Sequence, residues 1–225
     1  MIKLNLTQRA LLTAGSAVGA LTNPLRGDLV ATLGETTGTA ALVSMRNKMK
    51  MNTTGLEILK DRPRVTEQTV DTEYLSKLPP NTLGHHYYQF MSGNGLSAQR
   101  AQTKFVEDDE LAYVMTRYRE SHDFLHTLTG LGVTVPEEIC LKWYEMVQTE
   151  LPMCALSALF GPIPLTLAEK RLLLSQQIPW GLACGRASAF FMNIYFEREL
   201  ETDINLMRRR YKISAAPRYQ DQEPV

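Results

Sequence analysis

The clearest amphipathic stretch of the chain lies between Asp108 and Gly130. Its apolar positions recur three and four residues apart, as on one face of a helix: Leu111, Val114, Met115, Tyr118 and Leu125. Asp108 is a favoured N-cap type, and no proline or glycine interrupts the stretch before Gly130, which suits a C-cap. The pattern therefore predicts one long helix over residues 109–129.

Two histidines, His122 and His126, lie on the same stripe, four residues apart. Because residues at this spacing share one helix face, both imidazoles can converge on a point facing the protein interior. Pro136 suits the start of a second helix after a short turn. An antiparallel hairpin would bring Glu138 near His126. Asp123, about 100° around the helix from His122, is then either a fourth ligand or a group that orients an imidazole.

This set of side chains favours a divalent metal ion. Two imidazoles with one or two carboxylates suit zinc, iron or manganese, and magnesium if carboxylates dominate. The alternative is that both histidines are core residues with satisfied hydrogen bonds, because histidine pairs also occur by chance. A phosphohydrolase of the His-Asp type is disfavoured, since its further ligands could come only from the adjacent His85 and His86, which point about 100° apart.

Shorter apolar segments, separated by prolines and glycines, fill most of the remaining chain. We predict a first helix within residues 1–21, a short second one, a third ending near 51, a helix over 82–91, two helices on either side of 160–164, a break at Pro179 and a helix over 180–200. Residues 65–70 are expected to form a short strand or an extended loop. Residues 150–169 contain a long uncharged run, but its prolines and glycine argue against a membrane span.

Small residues dominate the first half of the segment 180–200, and large aromatic residues dominate the second half. Core packing is sufficient to explain this gradient. The alternative is a long apolar cavity for a lipid, with Gly185 and Ala189 among its lining residues.

The composition indicates one domain with a substantial core, because 44% of 225 residues are hydrophobic. We therefore predict an all-α, single-domain helical bundle over residues 1–213, with a metal-binding helical hairpin at its centre and a disordered tail at 214–225. Lysine plus arginine and aspartate plus glutamate number 24 each, so no nucleic-acid partner is expected. The three cysteines lie in apolar segments and are expected to be buried free thiols in a reducing compartment.

Several ordered blocks resemble the coenzyme Q biosynthesis protein family Coq4, over roughly residues 10–213. They are His122-Asp123-x-x-His126 followed by Glu138, Asp108-Asp109-Glu110-Leu111, Gln148-Thr149-x-Leu151-Pro152, Leu33-Gly34-Glu35-Thr36-Thr37-Gly38 and Asn193-x-Tyr195-x-Glu197-Arg198. The resemblance implies an all-α protein whose divalent ion, zinc first among the candidates, is held by His122, Asp123, His126 and Glu138.

The resemblance also implies a role in ubiquinone assembly. Family members are described as replacing the carboxyl group of a polyprenylated hydroxybenzoate by a hydroxyl, which is an oxidative decarboxylation. They are also described as organising the biosynthetic complex. The resemblance therefore leaves two functions open, an enzyme and a non-catalytic scaffold. The implied partners are a polyprenyl lipid or prenylated quinone precursor, a membrane surface bound peripherally, and other quinone biosynthesis proteins, with a homodimer left open. Residues 1–21 lack the Arg-rich composition of a transit peptide. That favours a bacterial member in the cytoplasm, on the inner face of the membrane.

Overall fold

The computed structural model describes residues 1–22, 26–100 and 102–217. Twelve α-helices make up most of these ranges, and no β-strand occurs within them. In chain order they are α1 (Leu6–Thr22), α2 (Gly27–Thr37), α3 (Thr39–Lys50), α4 (Thr53–Asp61), α5 (Thr72–Lys77), α6 (Leu83–Gly93), α7 (Asp109–Thr129), α8 (Val135–Thr149), α9 (Pro152–Phe160), α10 (Leu167–Leu172), α11 (Ile178–Ala187) and α12 (Ile204–Tyr211). The predicted all-α fold in a single helical domain is confirmed.

The central helix α7 has the bounds that its pattern predicts. The Asp108 carboxylate accepts a hydrogen bond of 2.9 Å from the Leu111 backbone N–H, which caps the first turn. Gly130 adopts the left-handed conformation, with φ of 72°, and ends the helix. The second half of α7 is buried almost all round, and the helix packs against α3 and α6. It is therefore a core helix, and polar groups on it must find partners within the protein.

The next helix, α8, begins after a five-residue connection and runs antiparallel to α7. Tyr118, in the middle of α7, meets Glu145 in the second half of α8, and His126 late in α7 meets Glu138 early in α8. Pro136 lies in the first turn of α8, as expected, beside a capping box formed by Thr134 and Glu137.

Helix α11 packs closely on α8 through its glycines. A Cβ atom added at Gly185 would lie 2.9 Å from Val147 Cβ and 3.1 Å from the Tyr144 carbonyl oxygen. A Cβ at Gly181 would meet Trp143 Cβ at the same distance of 2.9 Å. The small residues of this segment therefore serve helix packing, and Gly185 does not face a cavity.

The predicted helix over 180–200 is wrong in its second half. Helix α11 ends at Ala187, and two 3₁₀ turns follow, Phe191–Asn193 and Phe196–Arg198. The backbone here bonds to distant side chains: Arg117 donates to the Ile194 carbonyl at 3.0 Å, and Gln148 accepts from the Phe191 N–H at 3.2 Å. Ala189 is exposed, and its N–H donates to the Tyr211 carbonyl, so it lines no lipid tunnel in this structure.

The predicted break at Pro179 is also wrong. A π-helical segment, Leu173–Gln177, joins α10 to α11, and Pro179 lies in the first turn of α11. The wider π turn accommodates the proline ring without ending the helix. Residues 65–70 form a turn and no strand, as the extended-loop alternative allowed.

Two short helices that the sequence pattern missed are α4 and α5. Each begins at a side-chain cap: Asn52 accepts from the Gly55 N–H at 3.0 Å, and Asp71 accepts from the Tyr74 N–H at 2.9 Å. Asn52 and Asp71 are both favoured N-cap types, so the sequence did carry a signal for the start of each helix, although the apolar periodicity of this segment is weak.

The predicted tail begins against the domain. Ala216 is buried, and its N–H donates to the Thr129 carbonyl at 2.9 Å. Residues 218–225, on which most of the disorder prediction falls, lie outside the described residues.

The three cysteines are buried and free, as predicted. None of the described helices is both long enough and apolar enough to cross a bilayer.

Candidate metal centre

Three of the four predicted ligands come together between α7 and α8. His122 and His126 lie on successive turns of α7, and Glu138 lies in the first turn of α8. The two Nε2 atoms are 3.1 Å apart; His122 Nε2 is 3.4 Å from Glu138 Oε2, and His126 Nε2 is 3.2 Å from Glu138 Oε1. Among the described residues, these three side chains form a group of potential ligands whose donor atoms lie within 4.8 Å of one another.

The spacing of the four donor atoms, one Nε2 from each histidine and both carboxylate oxygens of Glu138, fits a shared metal ion. With metal–ligand bonds of about 2.0–2.1 Å, neighbouring ligand atoms lie about 3.0 Å apart in an octahedral site and about 3.4 Å apart in a tetrahedral one. The separations of 3.1–3.4 Å fall in this range. His126 is only 1% exposed, whereas the side chains of His122 and Glu138 are 19% and 37% exposed. The site therefore opens on one side, where further ligands can enter.

The hydrogen bonds on the opposite edge of each imidazole also indicate a cation site. His122 Nδ1 lies 2.7 Å from Glu145 Oε1, and His126 Nδ1 lies 3.3 Å from the Leu131 carbonyl oxygen. An ionised carboxylate and a carbonyl only accept, so both Nδ1 atoms carry hydrogen. In the neutral imidazoles each Nε2 then has a lone pair. Two lone pairs and the Glu138 carboxylate then converge on one point, an arrangement that a proton or a metal ion placed there stabilises.

The titration behaviour of the three groups reflects this crowding. Burial is the largest influence on His126 and lowers its pKa, which favours the neutral, ligating form. Burial and the positive charge of Lys142 both lower the pKa of His122. The carboxylates of Glu145 and Glu138 outweigh them, so the pKa of His122 is raised. Burial alone would raise the pKa of Glu138, whereas the two imidazoles hold it well below its usual range.

Asp123, the fourth predicted ligand, is not brought to this group. Its carboxylate accepts a hydrogen bond from Arg100 Nη2 and forms a buried ion pair with it. The rotation of about 100° between adjacent helix residues turns Asp123 away from the Nε2 atoms of its neighbours. A role for Asp123 as a ligand stays a prediction, which would require the ion pair to break.

Residues that the sequence-based prediction did not include lie directly behind His122. Glu145 is fully buried and accepts hydrogen bonds from Tyr118 Oη at 2.8 Å and Lys142 Nζ at 2.6 Å. Burial by itself would raise the pKa of Glu145, but Lys142 and His122 hold it down to about 2. The available signal was the spacing of Glu138, Lys142 and Glu145 at i, i+4 and i+7, which puts three charged residues on one face of α8.

A cavity of about 640 Å³ borders the other side of the region. Its lining is mixed and includes His126, Phe90 and Leu172. The Phe90 ring stacks on the His126 imidazole, with ring centroids 5.1 Å apart. One ligand imidazole is therefore shared between the metal centre and the cavity wall.

Comparison with known proteins decides the family. The model of the family "Coenzyme Q (ubiquinone) biosynthesis protein Coq4" matches residues 1–217. The chain belongs to the Coq4 family. This confirms the resemblance seen in the sequence and places the chain among the coenzyme Q biosynthesis proteins.

Several Coq4 relatives match most of the chain. The human protein, named "Ubiquinone biosynthesis protein COQ4 homolog, mitochondrial", is 46% identical over 211 residues, which are 93% of this chain and 80% of the relative. The Nematostella vectensis homolog is 48% identical over 203 residues, covering 88% and 98%. The Uncinocarpus reesii protein is 44% identical over 222 residues, covering 98% and 80%.

A solved structure from Nostoc punctiforme has the same fold. Its TM-score is 0.70, at 20% sequence identity, and the match covers 88% of this chain and 95% of that one. At this identity the likeness concerns the fold alone.

The expected location in a bacterial cytoplasm is wrong. The human, rat and fungal relatives all carry names that place them in mitochondria, which points to mitochondria for this Coq4 member as well. The composition of residues 1–21, from which the bacterial assignment was drawn, does not fix the compartment.

Proposed function

We propose that this Coq4 member is a divalent-metal-dependent protein that binds a polyprenylated hydroxybenzoate precursor of ubiquinone and acts in its oxidative decarboxylation. The observation that carries the proposal is the convergence of His122, His126 and Glu138 on one point with an open side. Three protein ligands leave coordination positions free, as in catalytic rather than closed structural sites. A divalent ion held there would supply Lewis-acid chemistry toward an anionic oxygen of the substrate.

The overall reaction balances with dioxygen as oxidant. The bond between the ring and its carboxyl carbon breaks, carbon dioxide leaves, and a ring C–O bond forms with one oxygen atom of dioxygen. The second oxygen atom leaves as water, with two electrons and two protons from a reductant. The chain's own residues would hold the substrate in place for this change.

Two cations beside the ligands support recognition of a carboxylate. Lys142 binds one oxygen of the Glu145 carboxylate while His122 contacts the other, and Arg100 binds the carboxylate of Asp123, which is adjacent to His122 in sequence, so both cations lie near the site. Their positive charge favours an anionic ring substituent over a neutral one. Both are already paired, Lys142 with Glu145 and Arg100 with Asp123, so they steer the substrate more than they bind it.

The prenyl chain is proposed to lie in the cavity beside His126, because Gly185 is packed against α8 and Ala189 is exposed. Phe90 and Leu172 give this cavity apolar surface, and burying a methylene group contributes about 0.8 kcal/mol. Exposed apolar side chains near α10 would contact the membrane surface peripherally: Leu159, Ile163, Leu167 and Leu174, which are 59–86% exposed.

The same exposed apolar side chains favour a second candidate function. In a non-catalytic scaffold they would bind other quinone biosynthesis proteins, and the metal would hold a lipid headgroup or stabilise the fold. Both functions use the same ligands, so turnover is the property that separates them.

The test is release of labelled carbon dioxide from a polyprenyl hydroxybenzoate that carries ¹³C in its carboxyl group. The purified protein is loaded with zinc, iron, manganese or magnesium and supplied with dioxygen and a reductant. We expect metal-dependent release that Glu138→Gln abolishes. Glu137→Gln is the matched control, because the neighbouring carboxylate belongs to the capping box and not to the ligand group. Bound metal and lipid with no label release for any of the ions would favour the scaffold.

A further inference from the structure

A buried polar cluster lies behind the metal centre and consists of Tyr118, Lys142, Glu145 and Cys154. The two oxygens of the Glu145 carboxylate have different partners. Oε1 accepts from His122 Nδ1 at 2.7 Å, and Oε2 accepts from Lys142 Nζ at 2.6 Å and from Tyr118 Oη at 2.8 Å. Cys154 Sγ lies 3.3 Å from Tyr118 Oη. One edge of the carboxylate is thus held by the cluster, and the other edge faces the histidine.

Stability alone does not account for this cluster. The Glu145 side chain is 0% exposed and that of Lys142 is 14% exposed, so both charges are taken out of water. Replacing a buried ion pair by apolar residues of similar volume is often neutral or stabilising. The Lys142–Glu145 pair is therefore better explained by its effect on His122, which Glu145 contacts. His122 is a candidate metal ligand.

The contact determines which nitrogen of His122 can bind a metal ion. A neutral imidazole carries one hydrogen, and the Glu145 carboxylate accepts it from Nδ1. Nε2 then keeps its lone pair and points toward Glu138 and His126. The corresponding bond of His126 goes to a neutral carbonyl and is longer, 3.3 Å. A charge-assisted bond of 2.7 Å is the stronger constraint of the two.

Lys142 and Tyr118 in turn fix the carboxylate. Because they hold Oε2, the Glu145 side chain cannot rotate to present both oxygens to the ion without taking the carboxylate partner away from a buried ammonium and a buried hydroxyl. Glu145 therefore remains behind His122.

We propose that Glu145, clamped by Lys142 and Tyr118, is the positioning residue that fixes His122 in its Nδ1–H form with the Nε2 lone pair aimed at the metal centre. The consequence for metal affinity rests on the proposed function, whereas the position of the hydrogen on His122 does not. Removing such a partner of a ligating histidine typically weakens metal binding 10–100-fold.

The first test compares Glu145→Gln with Glu35→Gln. Glu35 is a matched control: it is a buried carboxylate paired with an arginine, Arg119, and it does not contact the ligand group. Affinity for Co²⁺ is measured by competition with a chromophoric chelator. We expect the affinity to fall about 10–100-fold in Glu145→Gln and to stay within about twofold in Glu35→Gln, as for distant sites. Equal affinity in Glu145→Gln and the wild type would overturn the proposal.

A second variant keeps the test decisive if Glu145→Gln is poorly folded. The combination of Tyr118→Phe, Lys142→Met and Glu145→Leu removes the charges and the hydroxyl together, so no buried charge is left unpaired. We expect this variant to remain folded and still to lose Co²⁺ affinity about 10–100-fold. A purely structural role for the cluster predicts a folded variant with wild-type affinity, which would contradict the positioning role.

The tautomer itself is read in the metal-free protein by ¹⁵N NMR of the histidine rings, at a pH high enough that the His122 ring is neutral despite its raised pKa. We expect the hydrogen of wild-type His122 on Nδ1, and a shift toward Nε2–H in the triple variant. A neutral wild-type His122 ring with its hydrogen on Nε2 would overturn the proposal, whether or not the variants fold. A wild-type protein that shows the Nδ1–H form but binds no Co²⁺ would instead overturn the proposed metal function.

Discussion

Replacing Gly185 by alanine should destabilise the protein, because α11 approaches α8 closely at this glycine, as it does at Gly181. The new Cβ would lie 2.9 Å from Val147 Cβ and 3.1 Å from the Tyr144 carbonyl oxygen, closer than ordinary carbon contacts. Overpacking of this kind costs about 1–3 kcal/mol, and the higher helix propensity of alanine returns up to about 1 kcal/mol. With the full propensity gain the net loss is about 0–2 kcal/mol, so we expect the free energy of unfolding to fall by about 1 kcal/mol.

The assay is urea unfolding followed by circular dichroism, with Gly15→Ala as control. Gly15 lies in α1, and a Cβ there would meet nothing within 4 Å, so only the propensity gain of up to about 1 kcal/mol remains. The two substitutions should thus change stability in opposite directions. A Gly185→Ala variant stabilised as much as Gly15→Ala would refute the close packing beside Gly185.

Three further outcomes are expected. Asp123→Asn should change metal affinity less than His126→Ala does, because the Asp123 carboxylate is engaged with Arg100; an equal loss, measured by chelator competition, would make Asp123 a ligand. Asp108→Ala should lower the free energy of unfolding by about 1 kcal/mol through loss of the α7 cap and should leave metal stoichiometry intact, as measured by urea unfolding and metal analysis. If the proposed peripheral binding through the exposed apolar side chains near α10 is right, protein that binds membranes should be released by high salt or alkaline wash; retention through both treatments would contradict it.

The sequence was sufficient for the central helix and for three of the candidate ligands. Asp108 and Gly130 mark both ends of α7, and helical periodicity alone puts His122 and His126 on one inward face. Pro136 marks the start of α8, which brings Glu138 back to the histidines. These are local rules, and no tertiary contact overrides them here.

Tertiary contacts explain what the sequence could not provide. Asp123 is adjacent to His122 in sequence, but its partner, Arg100, lies on a segment whose path no periodicity predicts. The aromatic residues after Ala187 favour a helix by pattern, yet Arg117 and Gln148 bind their backbone and hold it in 3₁₀ turns. Arg117 and Gln148 are distant in sequence from the backbone groups that they bind, so the sequence near these 3₁₀ turns does not reveal the contacts.

The metal content of the purified protein is the most direct test of the central claim. It is determined for the wild type, His126→Ala and Glu138→Gln after reconstitution with zinc or cobalt and removal of excess ion. We expect one ion per wild-type chain and none in either variant, with helicity by circular dichroism largely retained, because the ligands are held by a core that does not depend on them. A full ion per chain in both variants would contradict the assignment of His126 and Glu138 as ligands.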